Sequence, residues 1–111
     1  MAQHIHSPQE FNQVLSSSST AAKVVMADFY ANWCSPCRQI APTVEQLATQ
    51  YQHCINVVKV NVDHHDELAD KYHVNQMPSF IFLKDGKVVD RFIGNNPTML
   101  REAMQKNCFT N

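Results

Sequence analysis

The sequence has no long run of like charge, and its formal net charge is -1. That gives no ground for expecting nucleic acid or an anionic membrane as a partner. It also has no apolar stretch near the roughly 18–20 residues that a membrane-spanning helix needs. Met1-Ala2-Gln3-His4-Ile5-His6 lacks the basic start and apolar run of a secretory signal. Taken with Met1 as the natural start, the chain is expected in the cytoplasm. No internal repeat and no linker divides it. What is present is an apolar fraction of 44% in 111 residues. That suits one globular domain, residues 1–111, with a core of its own.

Cysteine is scarce, at positions 34, 37, 54 and 108 only. A chain this long and apolar does not need staples. In a reducing compartment a close pair such as Cys34 and Cys37 points to catalysis or metal binding before structure.

The patterning predicts strands alternating with helices. Ser7-Pro8-Gln9-Glu10 fits a capping box, with Ser7 as N-cap, Pro8 in the first turn and Glu10 reaching back. Phe11, Val14 and Leu15 then share one helical face. The tract Ser16-Ser17-Ser18-Ser19-Thr20 is expected to fray that helix and lead into a loop. Residues 24–31 are apolar almost throughout, as a strand covered on both faces should be. After the Cys pair, Ile40, Val44, Leu47, Ala48 and Tyr51 form one stripe, and Pro42 within it predicts a kink. Residues 55–62 read as a strand, and Leu68, Ala69 and Tyr72 mark a short helix. Residues 79–83 and 87–93 read as two strands joined at Asp85-Gly86, a hairpin signal. Asn96-Pro97 opens a last helix with Leu100, Ala103 and Met104 inward. The expected class is α/β, a mixed sheet with helices on both faces.

Cys34-Ser35-Pro36-Cys37 falls where a strand gives way to a helix. Two intervening residues let both sulfurs meet when the segment opens a helix. There Cys34 would face the unpaired N–H groups and the positive end of the dipole, which favour a thiolate. Cys37, one turn in, is expected to be the more buried of the two. Three other readings stand beside redox chemistry: zinc, a static disulfide and chance. Zinc is weakened because Cys54, separated from Cys37 by sixteen residues, is not followed by a second Cys at the Cys34–Cys37 spacing; position 57 is Val57. His53 directly precedes Cys54, and a structural zinc site wants four convergent ligands. The strand-to-helix context favours thiol–disulfide exchange.

Asp28-Phe29-Tyr30-Ala31-Asn32-Trp33-Cys34-Ser35-Pro36-Cys37, followed by Ile40-Ala41-Pro42, closely resembles the active-site strand and helix of thioredoxins. Lys59 with Asn61-Val62-Asp63, Met77-Pro78-Ser79-Phe80, Lys84-Asp85-Gly86 and Phe92-Ile93-Gly94 extend the resemblance, in family order, from about residue 5 to residue 106. The wording is most similar to the eukaryotic cytosolic branch. The resemblance implies a thioredoxin fold, a five-stranded mixed sheet flanked by four helices. It implies a protein-disulfide reductase in which Cys34 attacks and Cys37 resolves. It further implies no bound cofactor, with NADPH used indirectly through thioredoxin reductase. The expected partners are that reductase and disulfide-containing proteins such as peroxiredoxins and reductases, met by a monomer.

Pattern alone leaves Asp28 open between a buried base and a carboxylate that merely ends the strand or pairs with Lys59. The resemblance selects the base, taking the Cys37 proton, with Lys59 as its charge neighbour. Pro78 reads as an ordinary trans proline at a strand start; the resemblance implies a cis bond that exposes the preceding backbone to substrate. Trp33, the one tryptophan, is expected to shield the sulfur and touch substrate. Met77, Ile93 and Gly94 match rim positions and, with Pro36, complete an apolar docking face. Ser35 departs from the family glycine. Its hydroxyl, if aimed at Cys34, would favour the thiolate; otherwise serine is simply tolerated on an exposed turn. The six histidines form no site and no metal is assigned. Cys54 is expected to be a small buried residue. Cys108, near a helix end, is open to regulatory oxidation or an intermolecular disulfide. A different class stays open as well: a thioredoxin-like binding or regulatory subunit of a redox partner.

Overall fold

The strand that carries Asp28 can be apolar on both faces only if the sheet and its helices enclose it. The computed structural model, which describes residues 1–109, shows that arrangement. The elements run β1 (Gln3–His4), α1 (Pro8–Thr20), β2 (Val24–Tyr30), α2 (Ser35–Gln50) and β3 (Ile55–Asn61). They continue with α3 (Asp66–Lys71), β4 (Ser79–Lys84), β5 (Lys87–Ile93) and α4 (Pro97–Phe109). The sheet order is β1-β3-β2-β4-β5. β1, β3 and β2 are parallel, while β4 pairs antiparallel with β2 and with β5. Helix-bearing crossovers supply the parallel pairs, and the hairpin supplies one of the two antiparallel pairs, β4 with β5. This is the five-stranded mixed sheet with four helices that the resemblance implies.

Alternation along the strands divides the core in two. Val25, Ala27 and Phe29 of β2 join Val58 and Val60 of β3 beneath Phe11, Leu68 and Tyr72. Val24 and Met26 join Val57 on the opposite face, beneath Ile40, Val44 and Leu47 of α2 and Leu100 and Met104 of α4. Thus α1 and α3 cover one face, and α2 and α4 cover the other. The β4–β5 turn places Asp85 at φ 51° and Gly86 at φ 77°. Two consecutive positive φ values are what a tight hairpin turn of this hand requires.

The helix starts follow their caps. Ser7 Oγ accepts from Glu10 N at 3.0 Å, and Asn96 Oδ1 accepts from Met99 N at 3.0 Å. Glu10 reaches back one residue further than the capping box predicts, its Oε1 accepting from His6 N at 3.3 Å. The serine tract does not fray. α1 runs through Thr20, because Ser17 Oγ and Thr20 Oγ1 donate back to the carbonyls of Val14 and Ser16. Ser18 is buried and its Oγ accepts from Asn56 Nδ2 at 2.8 Å, which docks the helix end on β3. Pro42 lies inside α2 without ending it. It removes the N–H that would have bonded the Arg38 carbonyl.

Candidate active site

β2 ends at Tyr30, and Ala31, Asn32 and Trp33 turn the chain into α2. Cys34 is the N-cap, extended at φ -85° and ψ 105°, and its Sγ accepts from Cys37 N at 3.2 Å. The turn is held by Cys34 N donating to Ala31 O at 3.2 Å and by Arg38 Nη1 donating to Asn32 O at 2.6 Å. Cys34 and Cys37 are joined as a disulfide with Cα atoms 5.3 Å apart. In this state Cys37 is buried no more deeply than Cys34. Cys34 is 5% exposed and Cys37 6%, so the two residues are buried alike, against a cluster with Ala31, Tyr30, Val62 and Met77. The Cys37 amide donates to Cys34 Sγ at the helix N-terminus, which is the environment that stabilises a thiolate after reduction.

Asp28 is 3% exposed and shares the α2 face of the sheet with Met26. Its Oδ1 has no hydrogen-bond partner among the described residues. Burial pushes its pKa up to about 7; Lys59 opposes the rise and Glu45 adds to it. Lys59 sits in register with Asp28 across β2 and β3, with its Nζ 4.7 Å from the Tyr30 ring centroid. A cleft of about 250 Å³, lined by Tyr30, Asn32, Cys37, Arg38, Ala41 and Lys59 among others, opens from this cluster to solvent. Cys37 and Lys59 thus border one cleft, although Cys37 itself is buried.

The Met77–Pro78 bond is cis. Pro78 is buried, and Met77 packs on the Cys34–Cys37 cluster. Gly94 N donates to Pro78 O at 2.9 Å, and Ser79 pairs with Ile93, so the end of β5 is tied to the proline loop. Gly94 holds φ 113°, and a Cβ there would meet nothing within 4 Å. Its requirement is backbone conformation and not space. Around the disulfide stand exposed Ile93, exposed Pro36 and Trp33, which is 65% exposed.

Several residues at the site were not singled out by pattern. Asp63 Oδ2 accepts from Trp33 Nε1 at 2.9 Å and is itself placed by Asp63 N donating to Asn61 Oδ1 at 2.9 Å. The run Asn61-Val62-Asp63 was a visible signal, though not for an indole anchor. Ser35 Oγ accepts from Gln39 Nε2 at 3.3 Å, and Gln39 Oε1 accepts from Asn95 Nδ2 at 2.8 Å. The serine is thus engaged along the exposed helix face in this state, not by Cys34. Elsewhere, His65 is half-buried and its Nε2 lies 3.0 Å from Ile5 O. Cys54 is not an isolated apolar residue. It is buried as expected but bonded to Cys108, with Cα atoms 5.5 Å apart, which brings the end of α4 to the α2–β3 junction.

The fold and this site together define a thiol–disulfide oxidoreductase built on a dithiol pair at a helix N-terminus. The Thioredoxin family model matches residues 2–106. Thioredoxin-T of Drosophila melanogaster is 45% identical over 84 residues, 76% of this chain and 54% of that relative's length. Thioredoxin-2 of Saccharomyces cerevisiae is 38% identical over 107 residues, covering 96% of this chain and 99% of the relative. The X-ray structure of Fasciola hepatica thioredoxin has a TM-score of 0.89 at 40% identity, covering 95% of this chain and 98% of that one. A chain solved in work on the thiol resolving mechanism of yeast mitochondrial 1-Cys peroxiredoxin via glutathione/thioredoxin systems has a TM-score of 0.83 at 28% identity, covering 95% and 94%. The chain belongs to the thioredoxin family, and its activity is that of a protein-disulfide reductase.

Proposed function

We propose that this chain is a general cytoplasmic reductant of protein disulfides, working as a monomer and recharged by an NADPH-dependent thioredoxin reductase. The observation that carries the reading is the Cys34–Cys37 bridge at the start of α2, beside a cis proline and an exposed apolar rim. In the reduced protein the Cys34 thiolate, held by the first-turn amides, attacks one sulfur of a substrate disulfide. A mixed disulfide forms and the other substrate sulfur leaves as a thiol. Asp28, neutral or charged with nearly equal ease because its pKa is about 7, takes the proton of Cys37. The Cys37 thiolate then attacks Cys34 Sγ. The enzyme disulfide forms and the second substrate sulfur leaves. Two electrons pass to the substrate, and the reductase returns the enzyme to the dithiol.

Lys59 holds the charged form of Asp28 within reach, and the cleft past Tyr30 gives the proton an exit. Trp33, Ser35, Pro36, Met77, Ile93 and Gly94 form the face on which a substrate strand lies. The backbone of Met77, without a hydrogen-bond partner among the described residues, is the edge that strand pairs with. Disulfide-containing proteins such as peroxiredoxins and reductases fit this face, since recognition reads main chain and a small apolar patch. A similar chain was solved in work on how a yeast 1-Cys peroxiredoxin is resolved via glutathione/thioredoxin systems, which supports that class of partner.

An insulin-reduction assay with thioredoxin reductase and NADPH tests the reading. Turnover that disappears in Cys34→Ser is expected. Absence of turnover in the wild-type chain with either reductase or dithiothreitol would overturn it, and would leave a binding subunit as the better account.

A further inference from the structure

We propose that Cys54 and Cys108 form a second dithiol–disulfide site, at the pole of the sheet opposite Cys34, that reacts with hydroperoxides. Cys54 lies at the entry to β3 and its carbonyl accepts from Val24 N at the entry to β2. Cys34 follows the exit of β2, so the length of the strand separates the two sites. The Cys34–Cys37 chemistry makes no use of this pair.

The two sulfurs are unequal in a way that assigns roles. Cys54 is buried, while Cys108 is partly exposed on α4. The exposed imidazole of His53 places Nε2 3.8 Å from Cys108 Sγ, and its ring stacks on Tyr51 at an interplanar angle of 18°. The ligand-capable atoms of His53, Cys54 and Cys108 all lie within 4.8 Å of one another. A cleft of about 460 Å³ lined by Lys23, Gln52 and His53 among others meets this cluster at His53. An accessible thiol beside a base, with a buried partner thiol at bonding distance, is the arrangement that oxidises selectively and reversibly.

In the reduced protein, His53 takes the Cys108 proton. The thiolate attacks one oxygen of the hydroperoxide and the O–O bond breaks. Cys108 becomes a sulfenic acid, and the other oxygen leaves as an alcohol, or as water from hydrogen peroxide, with the proton from His53. The Cys54 sulfur then attacks the sulfenic sulfur. The S–S bond forms and the hydroxyl leaves as water with the Cys54 proton. Two thiols have lost two electrons, and the peroxide has gained them.

The test uses the full chain, reduced with dithiothreitol, desalted, treated with hydrogen peroxide, blocked with N-ethylmaleimide and mapped by peptide mass. The expected product is a linked pair of peptides carrying Cys54 and Cys108, lighter than the two reduced peptides by two hydrogen atoms. His53→Gln should slow its formation several-fold. Cys54→Ser should accumulate a Cys108 sulfenic acid that dimedone traps. Maleimide on both Cys54 and Cys108 after peroxide has already bridged Cys34 and Cys37 would overturn the proposal. So would tight binding of one zinc ion by the reduced chain that keeps these two thiols from reacting. Sulfenic acid found on Cys54 in Cys108→Ser at the wild-type rate would overturn the assignment of roles.

Discussion

Asp28 and Lys59 face each other in register across β2 and β3, yet the attraction between them does not decide the state of the carboxyl. Burial, the larger effect, pushes the Asp28 pKa up to about 7 against the pull of Lys59. No ion pair within 4 Å joins them among the described residues; the ammonium lies over the Tyr30 ring instead. The sign of the consequence for stability follows from linkage. The folded protein holds the Asp28 proton more tightly than the unfolded chain does, so the stabilisation is full below the ordinary carboxylate range and is lost as pH rises through about 7. Asp28→Asn removes that loss. Its stability advantage should grow by about 1.4 kcal/mol per pH unit between acid and neutral pH, and level off near about 4 kcal/mol above pH 7. Urea unfolding from pH 4 to pH 8.5 measures this. Parallel pH profiles for the two proteins would refute it.

Lys59 should matter to the titration of Asp28 more than to the fold. Lys59→Met keeps most of the side-chain volume and deletes the one cation that lowers the Asp28 pKa. The Asp28 titration, followed by carboxyl-carbon NMR, should move upward, and insulin reduction near neutral pH should slow with it. A titration midpoint that stays in place would show that the charge of Lys59 is screened from Asp28.

Trp33 is exposed but not loose. Its indole N–H is spent on Asp63, which is in turn oriented by the Asn61 side chain. Asp63→Ala should free the ring. The tryptophan emission should change on substitution, and KM for insulin should rise more than kcat falls, because the proposed function places the ring on the docking face. The cost to stability should be under about 1 kcal/mol, since the bond is solvent-exposed. A kcat defect with KM unchanged would count against a docking role for Trp33.

Much of this architecture was legible because it rests on period and caps. The buried run of β2, the stripe of α2, the Asp85-Gly86 turn and the Asn96 cap each depend on residues close in sequence. The Cys pair and its helix-start position were legible for the same reason. What escaped depends on distance in the fold. The serine tract reads as a helix breaker, yet Ser18 finds Asn56, 38 residues away, and the helix holds. Ser35 reads as a neighbour of Cys34, yet its hydroxyl bonds Gln39 one turn on. Asp63 as the anchor of Trp33 needed the register of β3 against the end of β2. Cys54 and Cys108 are 54 residues apart, and nothing local shows that α4 ends over the α2–β3 junction.

Gly94 is the position where one methyl group should separate backbone strain from crowding. Its φ of 113° lies where L-residues are strained, while a Cβ would have open space. Gly94→Ala should therefore cost about 1–3 kcal/mol through conformation alone. Relief of that strain would pull Gly94 N away from Pro78 O and disturb the rim. Insulin reduction should fall along with the urea midpoint. An alanine variant of wild-type stability would show that the chain adapts at this turn.

The Cys54–Cys108 bridge closes a loop of 54 residues, long enough to remove much freedom from the unfolded chain. Opening it should lower stability by about 2–4 kcal/mol. Cys108→Ser does this without introducing bulk, and leaves the thiol of Cys54 in its buried position. It should not change the rate of insulin reduction, because the bridge lies at the far end of β2 from Cys34. The urea midpoint of the oxidised wild type should therefore exceed that of Cys108→Ser. Wild type with both disulfides reduced should fall toward the variant, and the initial rates should superimpose. A variant as stable as the oxidised wild type would mean that the unfolded chain is already confined there. A large loss of activity would mean that α4 transmits strain through its packing on α2 to the Cys34 turn.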